Sequence, residues 1–189
     1  MATGAEELRA VLAAYLVVKG ASWPHLHPAM AKRAAHWPAM GEAELRAELE
    51  GYLREVSGPD YPVRVFWKLG AKFLFGGCND RFARDAGLGS PSDLVGLDDF
   101  SPKMPWQAQA AKYRADDKDV LESGKAKLDI LERQTSAAGT TVFVRVGKTP
   151  IRTAAGQVIG ILGMYEVLDE KAAQKLFFER SHMPGPSKP

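Results

Sequence analysis

The chain has 189 residues, of which 46% are hydrophobic and 25% charged, and its formal net charge is +2. This length suits one domain with an appended segment and allows a sizeable core. The small net charge gives no electrostatic basis for binding nucleic acid or an anionic membrane. No stretch is apolar for long enough to cross a bilayer, and acidic residues stand where a signal peptide has basic ones. The single cysteine, Cys78, excludes an intrachain disulfide framework and indicates a reducing cytoplasm.

Two amphipathic helices are predicted in the first 60 residues. Apolar residues follow helical spacing over 8–16 and again over 45–56. Gly20 is expected to end the first helix. The stretch "SGPDYP" at 57–62 is a dense cluster of turn-forming residues, and we place a domain boundary there.

From residue 63 the pattern changes to short strands and short helices. Alternation over 63–70 predicts a strand, and residues 72–77 form its hairpin partner. Asn79 is a suitable N-cap for a short helix, and Gly124 can end a longer one. Three further strands follow, within 126–134, 141–148 and 157–168. The order β-β-α-α-α-β-β-β predicts an α+β domain with a five-stranded antiparallel sheet and helices on one face.

The triplet Gly-Lys-Thr at 147–149 looks like part of a nucleotide-phosphate loop. Such a loop needs a glycine where Val142 stands, and a helix that Pro150 would prevent. The valines at 142, 144 and 146 instead continue a strand. Lys148 is therefore expected at a strand end, facing solvent.

Five stretches carry a family resemblance: "CNDRFARDAGL", "DLVGLDDF", "MPWQAQAAKYRADDKDVLESGKAKLDILERQ", "VFVRVGKTPIRTAAGQVIGILGMYEV" and "LDEK". In this order and spacing they resemble the PAS sensory domain. We place that domain at 61–172. It follows an N-terminal helical extension at 1–60 and precedes a C-terminal helix and disordered tail at 173–189.

The resemblance implies a cytoplasmic signalling protein that binds a small ligand or a partner protein and is not an enzyme. Many PAS domains dimerise through helices on their N-terminal side, so a homodimer is expected. Deletion of residues 1–56 should then yield a monomer whose PAS domain remains folded. Val167 stands where many PAS domains have an aspartate tied to an outgoing helix, and little chain follows it. No built-in output domain is expected.

Two alternatives remain open. One is a ligand-free interaction module that dimerises through the N-terminal helices and the sheet face. The other is a haem or flavin sensor. If a small ligand binds, the candidate pocket residues are mostly aromatic, with two anchors of other kinds: Phe75, Asn79, Phe82, Met104, Trp106 and Tyr113. These aromatic side chains could equally fill a closed core.

Bound cofactors have little support in the sequence. Cys78 precedes Asn79, whereas the flavin photosensors of this superfamily place a reactive cysteine after an asparagine. A lone cysteine is more often a small buried apolar residue. The helix at 108–123 lacks the histidine that haem PAS domains use, which leaves only Met104 or Tyr113 as haem ligands. No resident cofactor is expected.

Metal binding and catalysis are also not expected. His25, His27 and His36 lie near one another, but no cysteine or paired carboxylate completes a metal site. No histidine occurs between 37 and 181, so no catalytic triad can form there. The Asp-Asp pairs at 98–99 and 116–117 are predicted to be solvated.

Overall fold

The computed structural model describes residues 4–17, 28–58 and 63–181. The helices are α1 Gly4–Val17, α2 Pro28–Ala34, α3 Glu42–Glu55, α4 Asp80–Asp85, α5 Ala110–Ser123 and α6 Glu170–Ser181. The strands are β1 Val63–Leu69, β2 Leu74–Cys78, β3 Lys127–Thr135, β4 Thr141–Arg152 and β5 Val158–Leu168. Short 3-10 helices lie at Trp37–Ala39, Pro91–Leu94 and Gln107–Gln109. The predicted helix end at Gly20 and the predicted tail after residue 181 lie outside the described residues.

The five strands form one antiparallel sheet in the order β2-β1-β5-β4-β3. This confirms the predicted fold class. The chain leaves the sheet after β2, forms α4 and α5, and returns at the opposite edge with β3. β5 then pairs with both β1 and β4 and closes the sheet.

Local signals set the ends of the helices. The Asn79 side chain accepts a hydrogen bond from the Phe82 N–H and so caps α4, as predicted. Gly124 ends α5 with a φ of 62°, a left-handed conformation that glycine adopts without strain. Asp169 accepts from the Ala172 N–H at 2.7 Å, so α6 begins at Glu170, three residues before the predicted start of the C-terminal helix.

Both faces of the sheet are covered by helices of the same chain. The inner face is the one that α4 and α5 cover, and its side chains include Phe66, Val146 and Tyr165. The outer face is the one that α1 and α3 cover, and its side chains include Val65 and Trp67. The period-two alternation of β1, β4 and β5 divides their residues between these two apolar cores.

Three glycines let large rings lie close to the sheet. A Cβ on Gly163 would overlap the Phe66 ring on the inner face. A Cβ on Gly76 or Gly77 would overlap the Trp67 indole. The Phe66 ring thus lies against β5, where a side chain at position 163 would exclude it.

The N-terminal helices occupy the outer face themselves. Leu12 of α1 and Leu45 of α3 are fully buried in the outer core with Val65, Trp67 and Leu162. Removing residues 1–56 would therefore expose an apolar sheet face. This argues against the expectation that the PAS domain stays folded after that deletion. No helix in the described part of the chain is long and apolar enough to cross a membrane.

Replacing Leu12 by alanine should lower the free energy of unfolding by about 2–5 kcal/mol, because it opens a cavity between α1 and the sheet. Leu74→Ala is the control, since Leu74 is substantially exposed, and it should change the value by less than about 0.5 kcal/mol. Urea unfolding measures both. Equal small effects would mean that α1 does not pack on the sheet.

Candidate functional site

A cavity lies between the inner face of the sheet and the helices that cover it. Its empty volume is about 370 Å³ when its mouth is counted. Within this volume, the space that whole atoms can occupy is enough for roughly two water molecules. A larger ligand can therefore bind only if side chains that line the cavity move. Six aromatic rings line it, from Phe66, Phe75, Phe82, Trp106, Tyr113 and Tyr165. The other lining residues are Lys68, Asp99, Glu132, Gln134, Val146 and Lys148.

Four of the six predicted pocket residues line this cavity, namely Phe75, Phe82, Trp106 and Tyr113. Met104 is buried in the same core but is not part of the lining. Asn79 is also buried, and its side chain is engaged elsewhere in four hydrogen bonds. These bonds reach Val56, Val63, Val65 and Phe82, so Asn79 ties β1 to α3 and α4. It is a structural residue, not a wall of the cavity.

A cluster of buried charges forms one end of the cavity. Lys68 on β1 is only 1% exposed. Its Nζ contacts Asp99 Oδ2 and lies 2.6 Å from Asp117 Oδ2 on α5. The same ammonium lies 4.8 Å from the centre of the Phe75 ring, within cation-π range. Lys68 thus connects the sheet to the 98–104 loop and to α5.

The second lysine of the cluster comes from β4. Lys148 is 2% exposed, and its Nζ lies 2.6 Å from Asp117 Oδ1 and 3.2 Å from the Tyr113 carbonyl oxygen. Each carboxylate oxygen of Asp117 therefore accepts a hydrogen bond from a different lysine. The prediction that Lys148 faces solvent is wrong, because Lys148 shares the inner face with Val144 and Val146.

The prediction that both Asp-Asp pairs are solvated is wrong for one residue of each pair, because that residue points to the buried lysines. Asp99 and Asp117 are buried against lysines, whereas Asp98 and Asp116 are partly exposed. Asp98 pairs with Arg114 at 3.0 Å, and Asp116 pairs with Lys127 at 3.0 Å. Each pair thus has one inward and one outward carboxylate.

Mutual pairing keeps the cluster charged. Burial acts to lower the pKa of Lys68, but the carboxylates of Asp117 and Asp99 outweigh it and raise that pKa. Burial acts to raise the pKa of Asp117, yet Lys68 and Lys148 outweigh it and lower that pKa. Both groups are therefore ionised at neutral pH.

The other end of the cavity is lined by hydrogen-bonding side chains and by no lysine of the described residues. Gln134 Nε2 donates to the Tyr165 hydroxyl at 3.3 Å, and that hydroxyl donates to Asp85 at 2.9 Å. Burial, with Asp85 adding to it, raises the pKa of Tyr165, so the phenol stays protonated. Glu132 is also buried here, beside Gln134 on the inner face of β3.

The groups weighed for cofactors and metals lie away from this cavity or outside the description. Cys78 is buried and does not line the cavity. Burial, with a smaller contribution from Asp80, raises the pKa of its thiol to about 12, so it is a poor nucleophile. His36 is exposed, and His25 and His27 lie outside the described residues. The described residues contain no group of three potential metal ligands.

Sequence reasoning missed the polar half of the lining. The alternation on β4 already placed Val144 and Val146 on one face, and two further residues lead to Lys148. The same step on β1 leads from Phe66 to Lys68. The signal was present, but ionised residues are seldom fully buried unless they are paired, and the pairing carboxylates are distant in sequence.

A family model described as the PAS fold matches residues 74–173, more than half of the chain. The chain belongs to the PAS family. The match begins at β2, while β1 completes the same sheet on its N-terminal side. A comparison with proteins of curated function returned no match.

Several solved structures are similar to this chain. One is the structure of the Vibrio cholerae VqmA dimer in the absence of its target DNA, described among LuxR-type receptors. Its sequence is 25% identical to this chain, the match covers 57% of this chain and 47% of the VqmA chain, and the TM-score is 0.51. A phage VqmA-DPO complex is 21% identical over 71% and 61%, with a TM-score of 0.52. A Rhodobacter sphaeroides LOV protein is 16% identical over 72% and 76%, with a TM-score of 0.50. The chain thus spans less than two thirds of either VqmA chain, and the last two likenesses show the fold alone.

Asp117→Asn should lower the free energy of unfolding by about 3–5 kcal/mol, because it removes the carboxylate that two buried ammonium groups share. Asp116→Asn is a matched control on the same helix. Its ion pair with Lys127 is partly exposed, so about 0–1 kcal/mol is expected. Guanidinium unfolding measures both variants. Similar values for the two would show that the buried cluster does not hold α5 to the sheet.

The stabilisation by Asp117 should depend on pH. Because the folded pKa is lowered, this contribution is complete above the unfolded value of about 3.9 and is lost as pH falls through the folded pKa. The raised pKa of Lys68 gives a contribution that is complete below about 10.4 and is lost only above it. The stability difference between wild type and Asp117→Asn should therefore be constant from about pH 5 to 9 and shrink below about pH 4. A difference that grows on acidification would contradict this.

Proposed function

We propose that this PAS domain is a sensor that binds a small molecule in the cavity between the sheet and α5, and that it acts by binding, not by catalysis. One observation carries the proposal. The cavity combines aromatic walls with polar and ionised groups at both ends, which is the usual composition of a small-molecule site. Stability alone does not require the cluster, because apolar residues in place of a buried ion pair are often no less stabilising.

The cavity is also placed where binding can be sensed. Its lining comes from all five strands, from α4 and α5, and from the loop before α5. A ligand that changes the contacts of Lys68 or Lys148 changes how α5 and the 98–104 loop attach to the sheet. Binding then shifts the population of a conformation that a partner recognises.

The likeness to VqmA supports a sensing role without naming the signal. The Vibrio cholerae VqmA that this chain resembles is described as a dimer in the absence of its target DNA, among LuxR-type receptors. We propose that this chain likewise pairs with a second copy or a partner protein, although its own net charge of +2 gives no reason to expect DNA contact. Cytoplasmic location and the lack of a resident haem or flavin remain predictions.

The helix α6 carries a candidate surface for partner binding. Phe177 and Phe178 on α6 are 41% and 65% exposed, and the Phe177 ring packs edge-on against Phe143 of β4 at 5.6 Å. Exposed aromatic side chains are common at protein interfaces. With the outer sheet face already covered by α1 and α3, α6 replaces the sheet face as the proposed contact.

A ligand should raise the melting temperature by roughly 5 to 10 °C at a hundredfold excess over its Kd. It should also change the fluorescence of Trp106, which lines the cavity. A thermal screen of small metabolites, with native mass spectrometry of the purified protein, identifies the compound.

Two variants locate the binding. Trp106→Phe should abolish the fluorescence change, whereas Trp37→Phe should keep it, because Trp37 lies in the outer core. If no compound stabilises the protein and none co-purifies with it, the sensor proposal fails and the ligand-free interaction module takes its place.

A further inference from the structure

Glu132 is the least compensated ionisable group in the cavity wall. It is 4% exposed, and it lines the cavity from β3. Its Oε1 is fully buried and has no hydrogen bond among the residues that the structure describes. A buried carboxylate is costly unless hydrogen bonds or opposite charges replace the hydration that it has lost.

The carboxylate of Glu132 is paired with Lys112, which approaches it from the protein surface and not from the cavity. Its Nζ lies 3.1 Å from Glu132 Oε1, an ion-pair distance without hydrogen-bond geometry. The Lys112 side chain is 58% exposed, so its ammonium remains hydrated and the attraction is screened. A cation inside the cavity, shielded from water, would therefore compensate the Glu132 carboxylate better than Lys112 does.

The buried lysines do not supply such a cation. Among the described residues of the cavity and its charge cluster, three carboxylates stand against two ammonium groups. Both ammonium groups are already held by Asp99 and Asp117. The two lysines also lie at the opposite end of the cavity from Glu132. Glu132 pairs with Val144 across the two strands, and Lys148 lies four residues further along β4, which is roughly 13 Å from Val144. Neither buried lysine therefore pairs with Glu132, and the cation that the described residues place against it is the exposed Lys112.

The aromatic walls of the same cavity suit a cation. Phe82, Trp106 and Tyr165 form a contiguous set of aromatic rings, with Phe82 5.4 Å from Trp106 and 6.0 Å from Tyr165 between ring centres. The faces of such rings attract ammonium groups, most strongly where water is excluded. An apolar ligand body would also pack well against them.

We propose that the ligand of this cavity is a small organic cation, an amine with an apolar or aromatic body, whose N–H donates to Glu132. The proposal rests on the proposed function, since it names the class of molecule that the sensor binds. An anionic ligand has no comparable site. It would have to compete with Asp117 for Lys148 and would bring its charge into the cavity that Glu132 lines.

Three probes of similar shape test the charge directly: benzylamine, benzyl alcohol and benzoate. Isothermal titration calorimetry of the full chain should give benzylamine the lowest Kd. Its advantage over benzyl alcohol should be roughly tenfold to a hundredfold, the value of a hydrogen bond to a charged group. Benzoate should bind most weakly of the three.

Glu132→Gln should remove the preference for benzylamine over benzyl alcohol, while Glu122→Gln, at an exposed site on α5, should leave it unchanged. Lys112→Ala serves if Glu132→Gln fails to fold. It removes the competing outer cation and should tighten benzylamine binding severalfold. Weaker benzylamine binding in Lys112→Ala would overturn the assignment of Glu132 as the cation site.

Failure of this inference can be told apart from failure of the sensor proposal. Tighter binding of benzyl alcohol or benzoate than of benzylamine overturns the cationic class but leaves a working ligand site. An unchanged amine preference in Glu132→Gln overturns the role of Glu132 alone. If none of the three probes binds and the metabolite screen also finds no stabilising compound, both proposals fall.

Discussion

The shared carboxylate of Asp117 holds the candidate site together. It accepts from Lys68 on β1 and from Lys148 on β4, two strands that β5 separates in the sheet. Burying four charged groups is expensive, and only their mutual contacts offset that expense. The position of α5 over the sheet is therefore restricted to one in which both lysines reach the same carboxylate. The spacing of α5 from the sheet in turn sets the width of the cavity.

The opposite face of the sheet makes this arrangement possible. Because α1 and α3 cover the outer face with an ordinary apolar core, the inner face can carry charges without leaving the sheet short of hydrophobic stabilisation. Glycine at 163 contributes as well. Its missing side chain lets the Phe66 ring lie against β5, directly beside Lys68 on the same strand face. The space for the cavity thus depends on residues of both faces.

The predictability of the molecule from its sequence follows from the range of the interactions. Element order, the Asn79 cap and the Gly124 stop depend on residues within a few positions of each other, and all could be predicted. The aromatic half of the cavity followed from the family resemblance and alternation. The ionised half could not, because Lys68 is buried only by virtue of Asp117, which is 49 residues away. Without knowledge of that contact, a charged side chain at a strand end is correctly expected in water.

The same cluster shows how the inside of the domain is mechanically linked to its surface. Asp99 contacts Lys68 in the interior, while its neighbour Asp98 pairs with Arg114 at the surface. The Arg114 guanidinium in turn lies 5.1 Å from the centre of the exposed Phe100 ring. Under the proposed sensing function, a ligand that alters the Lys68 contact to Asp99 would act on this surface contact through the two adjacent aspartates. The buried charges would then serve signalling as well as binding, because they connect the cavity to the outer surface of the 98–104 loop.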